Sequence, residues 1–148
     1  MPVTDHHVAT LRAQLMGQRE EHLRLANQLD PEEANTQYAA LVAAAFIEAV
    51  ERRFMKDGKP ADESEVVDFV ARVRETDDEM PDIINPELAE SMILHLLEKG
   101  TIAEADKNTK FGHQIVLLAS LIGEEQPTEA ELDAFSSSAR SLADELLE

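Results

Sequence analysis

Apolar residues recur every three or four places along most of the chain, and that spacing predicts helices rather than strands. Val8, Leu11, Leu15, Gln18, His22, Leu25 and Leu29 keep the interval through the opening segment, so a first long helix is expected from about residue 4 or 5 to residue 29. A second start follows at once. Asp30 can cap, Pro31 suits the first helical position, and Glu32 and Glu33 sit where the helix dipole favours negative charge. Asp57-Gly58 followed by Pro60 stops that segment. The resulting helix, about residues 31–56, would be roughly 39 Å long at 1.5 Å per residue. So short a joint between two long helices forces a hairpin or a sharp bend.

The remainder uses shorter units. Residues 62 to about 76 put Val66, Phe69, Val70 and Val73 on one side of a helix. Asn85 as cap and Pro86 at the first position open another, which Gly100 stops. Residues 109–122 carry Phe111, Ile115, Leu118, Ala119 and Ile122 at helical spacing. Thr128 and Glu131 read as a capping box ahead of Leu132, Phe135, Ala139, Leu142 and Leu146. No alternating run is long enough for a strand, so no sheet is expected. The fold class is therefore all-α with about six helices in one bundle-like domain, residues 1–148. A long N-terminal helical hairpin (1–58) is joined to a smaller acidic four-helix part (59–148), with residues 77–84 as a flexible joint.

Length and composition agree with that picture. A chain of 148 residues fits one domain and can bury roughly 70% of the surface its unfolded form exposes. Hydrophobic residues make up 43% but aromatics only 4%, with no Trp, so the core must be aliphatic and Ala-rich. The absence of cysteine excludes disulfides, thiolate catalysis and zinc sites built on sulfur. The N-terminus lacks a basic start followed by an apolar run, and no window approaches the roughly 18 apolar residues of a membrane span. The reading is a cytoplasmic protein without a membrane partner.

Charge changes the picture more. Thirteen basic against thirty-one acidic residues give −18. Residues 1–58 hold 9 acidic and 6 basic residues, a net of −3, while residues 59–148 hold 22 and 7, a net of −15. A field of that sign repels phosphate backbones and anionic membrane surfaces, so no direct nucleic-acid binding is expected. Basic proteins and cations remain candidate partners, and solubility is the plainer use of the same charge.

Candidate chemistry thins out on inspection. The stretch EADKNTKFGHQIVLL, residues 104–118, opens like a calcium loop of the EF-hand kind, which needs oxygen ligands at positions 1, 3, 5 and 12 and Gly at 6. Counting from Asp106, Asn108 fits, but Lys110, Phe111 and Leu117 occupy positions 5, 6 and 12. The stretch reads instead as a turn ending at a helix cap. DDEMPD and DESE cluster carboxylates without the glycine turn. A helical carboxylate and histidine metal site wants Glu three residues before His, but Arg19, Met92 and Lys110 precede His22, His95 and His113. His6 and His7 fall on different sides of any helix. No nucleophile elbow, phosphate-cradling loop or basic aromatic strip is present. Ser136, Ser137 and Ser138 read as the wet back of the last helix or a phosphorylation target, and Glu20 with Arg24 and Glu48 with Arg52 as helix-surface pairs.

Two further patterns stand out. Residues 65–74 (EVVDFVARVR) and 131–140 (ELDAFSSSAR) share Glu, an aliphatic, Phe and Arg at a constant offset of 66. Each follows an apolar helix, an acidic turn and a proline. That arrangement, over residues 41–74 and 115–142, resembles tellurite-resistance TerB-type helical domains, a resemblance that implies an all-helical fold but has no motif specific enough to transfer a site. The other pattern is YAALVAAAFIEAV, residues 38–50, apolar without interruption from Tyr38 to Ile47. A helix apolar on every side is either the centre of its own domain or part of an interface. In the second case Tyr38, Leu41, Val42, Phe46, Ile47 and Val50 form a homodimer contact, with the small alanines letting a second copy approach.

The function expected is a non-catalytic protein-interaction or regulatory module that self-associates and needs no cofactor. One alternative is an acidic docking protein or DNA mimic for a basic partner. The other is a metal- or small-molecule-dependent enzyme whose site gathers scattered residues such as His22, His95, His113 and Glu48.

Overall fold

A computed structural model describes residues 3–28 and 34–147. They form eight α-helices: α1 (Asp5–Leu15), α2 (Arg19–Asn27), α3 (Ala39–Phe54), α4 (Glu63–Glu75), α5 (Met80–Ile83), α6 (Pro86–Leu96), α7 (Lys107–Glu125) and α8 (Glu129–Leu147). A π-helical turn, Ala34–Tyr38, leads into α3. Two-residue strands β1 (Met55–Lys56) and β2 (Lys59–Pro60) pair antiparallel after it. The all-α class holds, with eight helices in place of about six and a minimal hairpin where no sheet was expected. Among the described residues no helix is long and apolar enough to cross a membrane.

The expected first helix is two. Gly17 takes φ +73°, its N–H bonds Gln14 C=O at 3.2 Å, and Gln18 N–H bonds Ala13 C=O at 2.9 Å. That is a left-handed helix ending, open to glycine at no steric cost. The chain reverses there, and α2 packs back on α1. His6 Nε2 meets Leu25 O and His22 Nδ1 meets Thr10 O, both at 2.8 Å. Periodicity ran across the break because the turn residues kept the interval. The expected cap at Asp30, with Pro31, Glu32, Glu33 and Leu29, lies outside the described residues.

The other boundaries follow local chemistry. Asp57 and Gly58 both have positive φ and make the tight turn between β1 and β2. Asn85 Oδ1 accepts from Leu88 N–H, and Asp106 Oδ1 from Thr109 N–H, so Asp106 caps α7. Thr128 and Glu131 exchange both bonds of the capping box at 3.1 Å. The stop of α6 falls earlier than Gly100. Glu98, at φ +62°, takes the left-handed position, with Lys99 N–H to Leu94 C=O at 2.9 Å. Residues 77–84 are no free joint: they include α5, Ile84 is fully buried, and Arg74 Nε donates to Ile84 O at 3.2 Å.

The core forms around α3, which packs on α7 and α8 and also meets α1 and α6. Leu41, Val42, Ala44, Ala45, Ala49, Val50 and Phe54 are buried along it. Val66, Phe69, Val70 and Val73 of α4 join them, and the Phe54 and Phe69 rings meet edge to face at 5.7 Å. Alanine at repeated positions brings the α3 backbone close to its neighbours, which compensates for few aromatics.

Candidate functional site

The six residues expected at a self-interface lie inside the chain's own fold. Tyr38, Leu41, Val42, Phe46 and Val50 are buried and Ile47 is half-buried. Tyr38 packs on Phe111 of α7 with ring centroids 6.5 Å apart, and burial raises its phenol above the ordinary range. The five buried side chains are covered by the chain's own helices, while Ile47 keeps part of its surface open.

The residues gathered for an enzyme reading are not brought together. His22 is bonded to Thr10 O and His95 to Gly100 O, the latter at 3.3 Å. Glu48 accepts from Ser138 Oγ at 2.7 Å, a contact in place of the expected pair with Arg52. Arg24 pairs with Glu21 rather than Glu20. His113 is buried, with Nε2 accepting Asn85 N–H at 3.1 Å and Nδ1 against Thr109 O at 2.8 Å. Among the described residues no three His, Asp or Glu side chains converge as metal ligands. Ser136 is buried rather than on the wet face, which belongs to Ser137 and Ser138.

Tertiary packing creates concave features that no local pattern announced. A groove of about 550 Å³ lies between α4 and α7, with Phe69 and Val73 on one side and Ser120 and Gly123 on the other. Glu124 closes its rim by pairing with Arg72 at 3.2 Å and Arg53 at 3.3 Å, while Arg52 pairs with Glu125 at 3.0 Å. Arg52 also lies 5.5 Å from the Phe135 ring centroid. Arg52, Arg53 and Arg72 all pair with Glu124 or Glu125, so the rim acts as a clasp between helix ends.

Another is a cleft of about 380 Å³ where the start of α4 faces α6. The i, i+3, i+4, i+7 spacing of Glu87, Glu90, Ser91 and Leu94 puts all four on one face of α6. Glu63, in the first turn of α4, supplies the opposite wall. Gly100 and Thr101 close it, on the segment that the early stop of α6 sends back over the helix. That segment is tied down: Ala103 N–H donates to Ser91 Oγ at 2.9 Å and Lys99 Nζ to Ala61 O at 2.8 Å.

Carboxylates outnumber cations at the cleft. Among the described residues no ion pair reaches Glu63, Glu87 or Glu90. Burial raises the Glu90 carboxyl above its usual range, the Glu63 carboxylate raises it further, and Arg74 opposes them. In the sequence Glu63 stands out only within DESE, because the approach of α4 to α6 is invisible in either segment alone.

No protein-family model, no curated protein and no solved structure matches the chain.

Proposed function

We propose that this protein is a non-catalytic interaction module that docks a basic protein partner on the acidic surface of its second part. What carries the reading is the distribution of ion pairs. Arg12, Arg24, Arg52, Arg53, Arg72 and Arg140 each have a carboxylate partner, yet among the described residues no ion pair reaches the three glutamates of the cleft between α4 and α6. Those carboxylates belong to a segment with a net charge of −15, a field that speeds and orients the approach of a positive partner. An enzyme assembled from His22, His95, His113 and Glu48 has less support, since each of those side chains is committed to a separate contact. Self-association through α3 would need its buried face to leave the core.

The test is binding of an arginine- and lysine-rich peptide, with an oligoglutamate of equal length as control, measured from low to high salt. Binding of the basic peptide alone, weakening steeply as salt rises, is the expected result. Absence of binding at low salt, or affinity indifferent to salt, would remove the acidic surface as the basis of recognition.

A further inference from the structure

We propose that Asp57 is a site of spontaneous isomerisation: the folded turn between β1 and β2 leaves the Asp57-Gly58 linkage free to close into a succinimide and reopen as isoaspartate. The inference goes beyond the docking reading and does not depend on it.

The chemistry uses the chain's own atoms and water. The Gly58 backbone nitrogen bonds to Cγ of Asp57, and one carboxylate oxygen leaves as water, taking the amide proton and a proton from solvent. Water then opens the five-membered ring. Attack at Cγ restores aspartate, whereas attack at the Asp57 backbone carbonyl leaves the main chain running through Cγ. The net change is an isomerisation, with no change in mass.

Four observations single out this linkage. Of the aspartates and asparagines in the sequence only Asp57 precedes glycine, whose missing Cβ leaves the nitrogen open to attack. Residues 56–60 are exposed, and a Cβ built on Gly58 would meet nothing within 4 Å, so the ring has room to form. β1 and β2 have two residues each, and so short a pair opens at little cost. Among the described residues no ion pair holds the Asp57 carboxylate. Other aspartates are placed differently. Asp5 and Asp133 are in ion pairs, Asp106 and Asp144 accept backbone N–H bonds, and Asp68 lies inside α4.

The consequence falls on the hairpin. Its register pairs Met55 with Pro60 and Lys56 with Lys59, and Ala61 N–H closes it on Phe54 O at 2.7 Å. An isoaspartate adds one main-chain carbon at the tip, so that pairing must readjust where α3 passes into α4.

The experiment incubates wild type, Asp57→Glu and the free peptide of residues 53–61 side by side at neutral pH and body temperature. Circular dichroism verifies that both proteins stay folded. Peptide mapping with electron-transfer fragmentation then measures isoaspartate at each aspartate. It is expected to rise first at Asp57, with a transient species one water lighter, and Asp57→Glu, whose longer side chain closes a six-membered ring far more slowly, should show neither at that position. The folded chain should react within about tenfold of the free peptide, because an exposed turn opens at a free energy near zero. A folded chain slower than the peptide by more than that factor, or isoaspartate rising no faster at Asp57 than at Asp62, would overturn the assignment.

Discussion

His113 of α7 and Asn85, the cap of α6, share a hydrogen bond of 3.1 Å in which the imidazole Nε2 accepts the backbone N–H of Asn85. The other nitrogen, Nδ1, faces Thr109 O at 2.8 Å, so the ring is the neutral tautomer with the proton on Nδ1. One side chain thereby fixes where α6 begins relative to α7. His113→Ala should cost about 2–3 kcal/mol, combining a buried cavity with an orphaned backbone donor. Urea denaturation would measure the cost, and amide exchange at Asn85 would speed up more than at a distant helix. An unchanged midpoint would show the bond to be dispensable.

Glu98 occupies a left-handed position at φ +62° that glycine fills without strain. Glu98→Gly should raise stability by about 0.5–1 kcal/mol, read as a higher melting temperature. At Gly17, φ is +73° and an added Cβ would meet nothing within 4 Å. Gly17→Ala should therefore cost about 1 kcal/mol from backbone strain alone. Equal melting temperatures for wild type and both variants would contradict the conformational argument.

Ser136 Oγ is buried without a hydrogen-bond partner among the described residues, while Ser138 Oγ reaches Glu48. Removing an unsatisfied hydroxyl from an apolar contact is neutral or favourable, so Ser136→Ala should hold or gain up to about 1 kcal/mol. A clear loss of stability in calorimetry would mean that this hydroxyl has a partner in solution.

Phe46 is 3% exposed within the single chain. A carboxylate there would be buried in the hydrophobic core, so Phe46→Glu should cost at least about 3–5 kcal/mol and abolish the cooperative helical signal. Circular dichroism beside light scattering separates the alternatives. A mutant that stays helical and merely halves its mass would restore the α3 dimer reading.

Glu90 predicts the sign of one pH effect. Its folded carboxyl is raised, by burial first and by Glu63 second, so the protonated form is the one the fold favours. Its contribution is fully present below the ordinary unfolded glutamate value and fades as pH rises through the raised folded value. Glu90→Gln should therefore be at least as stable as wild type at neutral pH, with the difference shrinking toward acid. Asp106 and Glu131 act in the opposite sense, because backbone N–H groups at their helix caps lower both carboxyls, and their support is lost as pH falls. A variant Glu90→Gln that is less stable than wild type at neutral pH would reverse the assignment.

Much of the helix grammar was legible because it depends on neighbours in the chain. Asn85-Pro86, Thr128 with Glu131, Asp57-Gly58 and the Val66, Phe69, Val70, Val73 stripe each carry their physical reason within a few residues. The break at Gly17 and the early end at Glu98 were not legible. Both depend on a single positive φ that a periodic pattern runs straight across, and in the second case on a residue type that rarely adopts it.

The sequence by itself determined an all-helical chain with an aliphatic, alanine-rich core, no cysteine chemistry and a strongly negative second part, since these follow from composition and from spacings within one turn or two. Only the tertiary structure decided that the apolar face of α3 is covered by α7 and α8 of the same chain, that the histidines serve separate structural bonds, and that Glu63 and Glu90 face one cleft. Each of these depends on distances between residues far apart in sequence, which are set when helices pack and which no local pattern encodes.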